Sequence, residues 1–162
     1  MANRLQYVAG TLGSGLTWAS AGFTASDFNS LASGSCVVAA SAINNSTPLD
    51  VLIDVSFSLE VGGTTTALSV LYCYLLPLNR DGSTYGDGVA TGSTLPSICY
   101  QRGQIGVNSG VTSGNAVTGT FEAIRVPPGS FKLAIGSGLT VALDSTAAAA
   151  VEYRSYTFTL NG

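Results

Sequence analysis

The chain has 162 residues, of which 46% are apolar, 20 are glycine and only 9% are charged, and its formal net charge is −3. An ordinary soluble domain carries about 25% charged residues, so this surface is weakly hydrated and suited to being covered by copies of itself or by a partner. There is no histidine, which removes the commonest general base and a favoured metal ligand, and no basic block marks a nucleic-acid surface. A building block is expected, with no enzymatic activity, no cofactor and no metal. The length suits one domain whose core needs neither disulfide nor metal.

The pattern in chain order is all-β. Residues 1–7 hold no basic region followed by an apolar run, so no secretory signal is expected. Residues 1–34 mix glycines with Thr, Ser and aromatics and read as an N-terminal arm with the first strand or strands. Within it, residues 25–31 suggest one short helical turn capped by Ser26. Residues 36–43 form a weak strand rich in small side chains. Residues 49–60 are the cleanest segment: Leu49, Val51, Ile53, Val55, Phe57 and Leu59 alternate with Asp50, Leu52, Asp54, Ser56, Ser58 and Glu60. Period two over that span predicts a strand with one face in a core and the other, which carries the acids, toward solvent or a polar interface.

Residues 67–76 are apolar on both faces, which predicts a strand inside a sandwich or against a neighbouring subunit. Residues 79–116, rich in Gly, Ser, Thr and Asn, read as an extended loop around one strand at 99–107. Further strands are expected at 117–126, 130–135 and 151–160, with Pro127-Pro128-Gly129 as a turn. The alanine run at 147–150 is too short for a helix. No apolar stretch approaches the ~20 residues of a membrane helix, so no membrane contact is expected. The fold class is a single antiparallel β-sandwich, jelly-roll-like, over residues 35–162.

Motifs that suggest chemistry are weak. Asp81 and Asp87 lie in Asn79-Arg80-Asp81-Gly82-Ser83-Thr84-Tyr85-Gly86-Asp87-Gly88, but an EF-hand count from Asn79 puts Thr84 and Ala90 where Gly and Glu belong, which favours a plain turn. Cys36, Cys73 and Cys99 have no CxxC spacing and read as small buried hydrophobes. A carboxylate pair drawn from Asp50, Asp54, Glu60 and Asp87 is the one formal route to glycoside hydrolysis. The candidate interface residues are aromatic: Tyr7, Trp18, Phe23, Phe28, Tyr85 and Tyr100. They read either as lids over the sandwich or as anchors at a protein interface, with stacking on sugars as a third reading.

An ordered set of motifs carries a resemblance. A strand ending in Tyr74-Leu75-Leu76-Pro77 is followed by the Asp81–Gly88 loop, then Val126-Pro127-Pro128-Gly129-Ser130-Phe131-Lys132-Leu133, then Tyr153-Arg154-Ser155-Tyr156. This set, over roughly residues 35–157, resembles small virion structural proteins of tailed bacteriophages. The resemblance implies a part of a phage particle, read as a head decoration (cement) protein that bridges major capsid subunits. The expected partners are further copies of the chain, as a homotrimer, and the phage major capsid protein. The expected location is the virion, assembled in the host cytoplasm. A tail, collar or head-fibre component and a host-glycan-binding module are the alternatives.

Overall fold

Alternating apolar positions fold here into strands that pair across long sequence distances. The structure is a computed structural model describing residues 4–10, 18–146 and 148–161. Its strands are β1 (Arg4–Ala9), β2 (Ala19–Ser20), β3 (Cys36–Val38), β4 (Ile43–Asn44), β5 (Leu52–Glu60), β6 (Ser69–Pro77), β7 (Gln101–Val107), β8 (Ala116–Arg125), β9 (Ser130–Gly138) and β10 (Ala149–Asn161). One sheet has the order β1-β10-β5-β8, with β2 also beside β10. The other has the order β3-β9-β6-β7, with β4 also beside β9. Every pairing is antiparallel. From β4 onward each connection crosses from one sheet to the other, except β6 to β7. With the two-residue strands set aside, this is the double-sheet, interlocked order of a jelly roll.

The space between the sheets is filled by side chains. Ile53, Val55, Phe57 and Leu59 of β5 face Leu71, Cys73 and Leu75 of β6 and Phe131, Leu133 and Ile135 of β9, all buried. Phe121 and Ile124 of β8 and Val151 and Tyr153 of β10 complete the same cluster. Phe57 and Phe121 pack with ring centroids 5.1 Å apart. Burying each such side chain contributes roughly 1.5–3 kcal/mol, so this layer is the main source of stability.

The expected strand over residues 49–60 begins later, at Leu52. The Asp50 amide donates to Asn45 Oδ1, and Asn45 Nδ2 donates to the carbonyls of Asp50 and Pro127. This buried asparagine winds the chain before β5 into a turn. Leu49, expected in the core, is 57% exposed at a φ of 52°, and Val51 is half-buried. Asp50 and Asp54, expected on a face toward solvent or a polar interface, are both buried within the chain itself.

The N-terminal region is not a free arm where it is described. β1 pairs with the last residues of β10, from Arg4 opposite Asn161 to Ala9 opposite Tyr156, and β2 pairs with the same strand at Glu152 and Tyr153. Strand β10 is long enough to offer its edge to both in succession. A 3₁₀ turn over Ala25–Phe28 then places Phe28 fully in the core with Ala21 and Leu31. The turn is fixed from Thr24, whose amide donates to Asp27 Oδ2 at 2.7 Å, and not from Ser26.

β6 is apolar on both faces, as its sequence indicates, and the chain itself covers the second face. Tyr74 and Leu76, with Ala134 of β9, are buried beneath Tyr85, Val89, Leu95 and Cys99 of the 79–100 segment. The loop expected at 79–116 thus divides into this covering strap, β7 and a turn at 108–115. Among the described residues no helix is long and apolar enough to cross a membrane.

Candidate interaction surface

Because side chains fill the interior, chemistry or contact falls to the outside. Among the described residues, four large apolar side chains stand exposed: Leu68 at 91%, Ile98 at 61%, Leu49 at 57% and Tyr100 at 48%. Leu49 precedes β5, while Ile98 and Tyr100 precede β7. The strand directions bring these connections to one end of the sandwich, with Leu68, before β6, at the other. Leu68 and Leu49 both sit at positive φ, 71° and 52°. That backbone costs an L-residue roughly 1–2 kcal/mol. The alternation pattern gave no sign of Leu68 or Ile98 as exposed, because each lies where a strand meets a loop and the period breaks.

The outer face of the β1-β10-β5-β8 sheet carries a polar network centred on Asp54. Strand β8 bulges opposite it: Ile53 pairs with Ile124, and two residues later Val55 pairs with Phe121. The extra residue lies at Glu122 and Ala123, and Ala123 takes a φ of 53°. The freed Ala123 amide donates to Asp54 Oδ1 at 2.9 Å. Arg154 reaches Asp54 Oδ2 through both Nε and Nη2 at 3.0 Å, and the Tyr156 hydroxyl donates to the same oxygen. Burial, then the hydrogen bond to the Asp54 carboxylate, push the Tyr156 hydroxyl up to about 12. The Arg154 guanidinium lies over Trp18, 4.7 Å from its ring centroid, and 5.5 Å from that of Tyr156. Beside this network is a shallow depression of about 240 Å³ lined by Leu52, Asp54, Glu122, Ala123 and Tyr156.

The sequence-predicted interface residues are dispersed. Tyr7 occupies a position in β1 opposite Phe158, and its side chain lies outside the described residues. Trp18 is half-buried on Arg154. Phe23 is half-buried with its ring 5.4 Å from that of Phe28. Phe28 is wholly interior, which corrects its reading as an interface residue: a side chain without accessible surface reaches no neighbour unless the fold opens. Tyr85 lies half-buried on the strap, with Lys132 Nζ 5.4 Å from its ring centroid. Of the six, Tyr100 alone among those with described side chains is openly exposed. Trp18 and Tyr85 belong to opposite outer faces of the sandwich, so Trp18, Tyr85 and Tyr100 make no common sugar-stacking patch.

No family model and no curated protein matches the sequence. Among solved structures, the chain is similar to one of infectious bursal disease virus, Gx strain, at 14% identity and a TM-score of 0.41 over 97% of this chain. A structure of the Gt strain of the same virus aligns at 15% identity and a TM-score of 0.31 over 98% of this chain. In both cases 32% of the viral chain is covered, so this chain spans about a third of the length of the proteins it matches.

Proposed function

We propose that the chain is a structural component of a virus particle: a decoration (cement) subunit on a tailed-phage head that bridges major capsid subunits. The observation that carries this reading is the jelly-roll strand order around an interior closed by its own side chains. Jelly rolls serve as capsid, lectin and cupin domains, and the analogy rests on fold. A cupin or a ligand-carrying barrel uses its interior, whereas this one is occupied by Phe57, Phe121, Phe131 and their neighbours. What remains is a weakly charged exterior with exposed Leu49, Leu68, Ile98 and Tyr100, suited to protein contact. The motif resemblance to phage virion proteins supports the same reading.

Self-association, as a trimer, belongs to this proposal, and the exposed apolar side chains are its support. The second apolar face of β6 no longer argues for it, since residues 79–100 cover that face. Many symmetric copies, each weakly held, add avidity and resist internal pressure. The test is to mix purified chain with phage heads that lack it. Co-sedimentation at a fixed ratio to the shell protein, with DNA release moved to higher temperature, is the expected result. Heads that neither load the chain nor gain heat resistance would refute the role.

A further inference from the structure

The 79–100 strap covers more than a face. At the sheet's edge the Cys36 amide donates to the Ser93 carbonyl at 3.0 Å, and the Gly92 amide donates to the Cys36 carbonyl at 2.8 Å. The Val38 amide donates to Thr91 Oγ1 at 2.9 Å. The strap therefore occupies the hydrogen-bonding edge of β3 as well as the apolar strip of Tyr74, Leu76 and Ala134. An open strand edge and an apolar strip both invite association, and here one segment shields the two together.

What holds the strap is mostly local. The Asp87 carboxylate accepts the Ser97 amide and hydroxyl, each at 2.7 Å, and at longer range the amides of Ile98 and Val89. Between residues 79 and 100 only Gly86 and Pro96 are buried, whereas Tyr74, Leu76 and Ala134 beneath are at most 2% exposed. Gly82, Gly86, Gly88 and Gly92 all take positive φ, supplying bends along the segment. The floor is cut to admit it: a Cβ at Gly136 would stand 2.6 Å from Leu95 Cδ2 and 2.9 Å from Tyr74 Cε2.

We propose that residues 79–100 are a latched cover that opens as a unit while the sandwich stays folded, with Asp87 and Ser97 as the latch. Segments with few buried apolar contacts open at lower free energy than the core they lie on. Opening uncovers the Tyr74–Leu76 strip and the edge of β3 together, because one continuous segment shields both: Thr91, Gly92 and Ser93 bond the edge, while Tyr85, Val89 and Leu95 on either side of them pack on the strip. Two thiols report on it from different depths. The Cys36 thiol lies under the strap, 3.5 Å from the Thr94 carbonyl oxygen, while Cys73 lies in the core between the sheets.

The experiment uses the full chain with Cys99→Ser, labelled under native conditions with 4,4′-dithiodipyridine and read by peptide mass spectrometry. Cys36 should label at least ~100-fold faster than Cys73, since strap opening is far cheaper than global unfolding. Ser97→Ala, which removes a latch hydrogen bond and keeps the Asp87 charge that acts on the Cys36 thiol, should speed Cys36 by about tenfold more and leave Cys73 unchanged. Gly136→Val, which raises the floor under Leu95, should act in the same direction. Equal labelling of Cys36 and Cys73, labelling of neither, or equal acceleration of both by Ser97→Ala would overturn the proposal. Should either variant fail to fold, the comparison of Cys36 with Cys73 in the Cys99→Ser chain still decides.

Discussion

Arg154 of β10 and Asp54 of β5 stand directly opposite each other in the ladder, and their side chains close a 3.0 Å ion pair on the outer face of the sheet. Asp54 also accepts from the Ala123 amide at the β8 bulge and from the Tyr156 hydroxyl, so one buried carboxylate ties three strands together. Asp54→Ala leaves those donors without their acceptor and should destabilise the chain by about 2–4 kcal/mol in urea unfolding. Arg154 is a third exposed, so solvent screens its part and Arg154→Ala should cost about 1 kcal/mol or less. If the arginine variant proves the costlier of the two, the carboxylate is not the hub.

The bulge itself makes a second prediction. Ala123 is an exposed L-residue at a φ of 53°. Ala123→Gly relieves that strain, and after the unfolded-state entropy of glycine is subtracted a gain of roughly 0.5–1 kcal/mol is expected. Ala123→Val should lower stability, because a β-branched residue is worse still at positive φ. Matched thermal melts of the three chains check the order Gly above Ala above Val.

The 49–60 segment offers a paired contrast. Val55 is fully buried and Leu49 is more than half exposed. Val55→Asp places an uncompensated charge between the sheets and should prevent folding, at a cost of several kcal/mol. Leu49→Asp should fold, with stability changed by about 0.5 kcal/mol or less. Circular dichroism of the two variants suffices, and a folded Val55→Asp chain would contradict the core assignment.

That contrast shows which parts of the fold the sequence discloses. Ile53, Val55, Phe57 and Leu59 declare themselves because period two records burial on one face of a strand. Leu49 fits the same period and is misplaced, because a single buried asparagine 82 positions from Pro127 delays the start of the strand, and no local pattern encodes that contact. Both apolar faces of β6 are legible, but what covers the second face is not, since the strap is polar and glycine-rich along most of its length. The Asp54 network is invisible for a similar reason: Asp54 and Arg154 meet only through strand register, 100 residues apart. Phe28 fails as an interface residue because glycine-rich surroundings conceal how tightly a short 3₁₀ turn docks.

Two carboxylates of the strap set its response to pH. The Asp81 carboxyl is held at about 2 by the Thr84 hydroxyl, then by the amides of Thr84 and Ser83. The Asp87 carboxyl is lowered chiefly by the Ser97 hydroxyl, and further by the amides of Ser97, Ile98 and Val89. Both are lower folded than unfolded, so their contribution is complete above the ordinary carboxylate value of about 4 and is lost as pH falls through the folded values. The strap turns should therefore loosen between about pH 4 and pH 2. Carboxyl-carbon NMR titration checks the midpoints, and faster amide exchange at Ser83 and Ser97 in that window checks the loosening. A midpoint for Asp81 near 4 would contradict the hydrogen bonding described.

If this jelly roll is part of a particle, its stoichiometry in intact virions is fixed. Phage particles made in cells carrying the gene for this chain are purified by density gradient, and the chain is quantified against the major shell protein by mass spectrometry. A reproducible ratio is expected, with the chain on the outer surface of the head and protected from removal by washing in high salt, since so weakly charged an interface is little screened. Absence from purified particles, or a trace amount that washing removes, would contradict it.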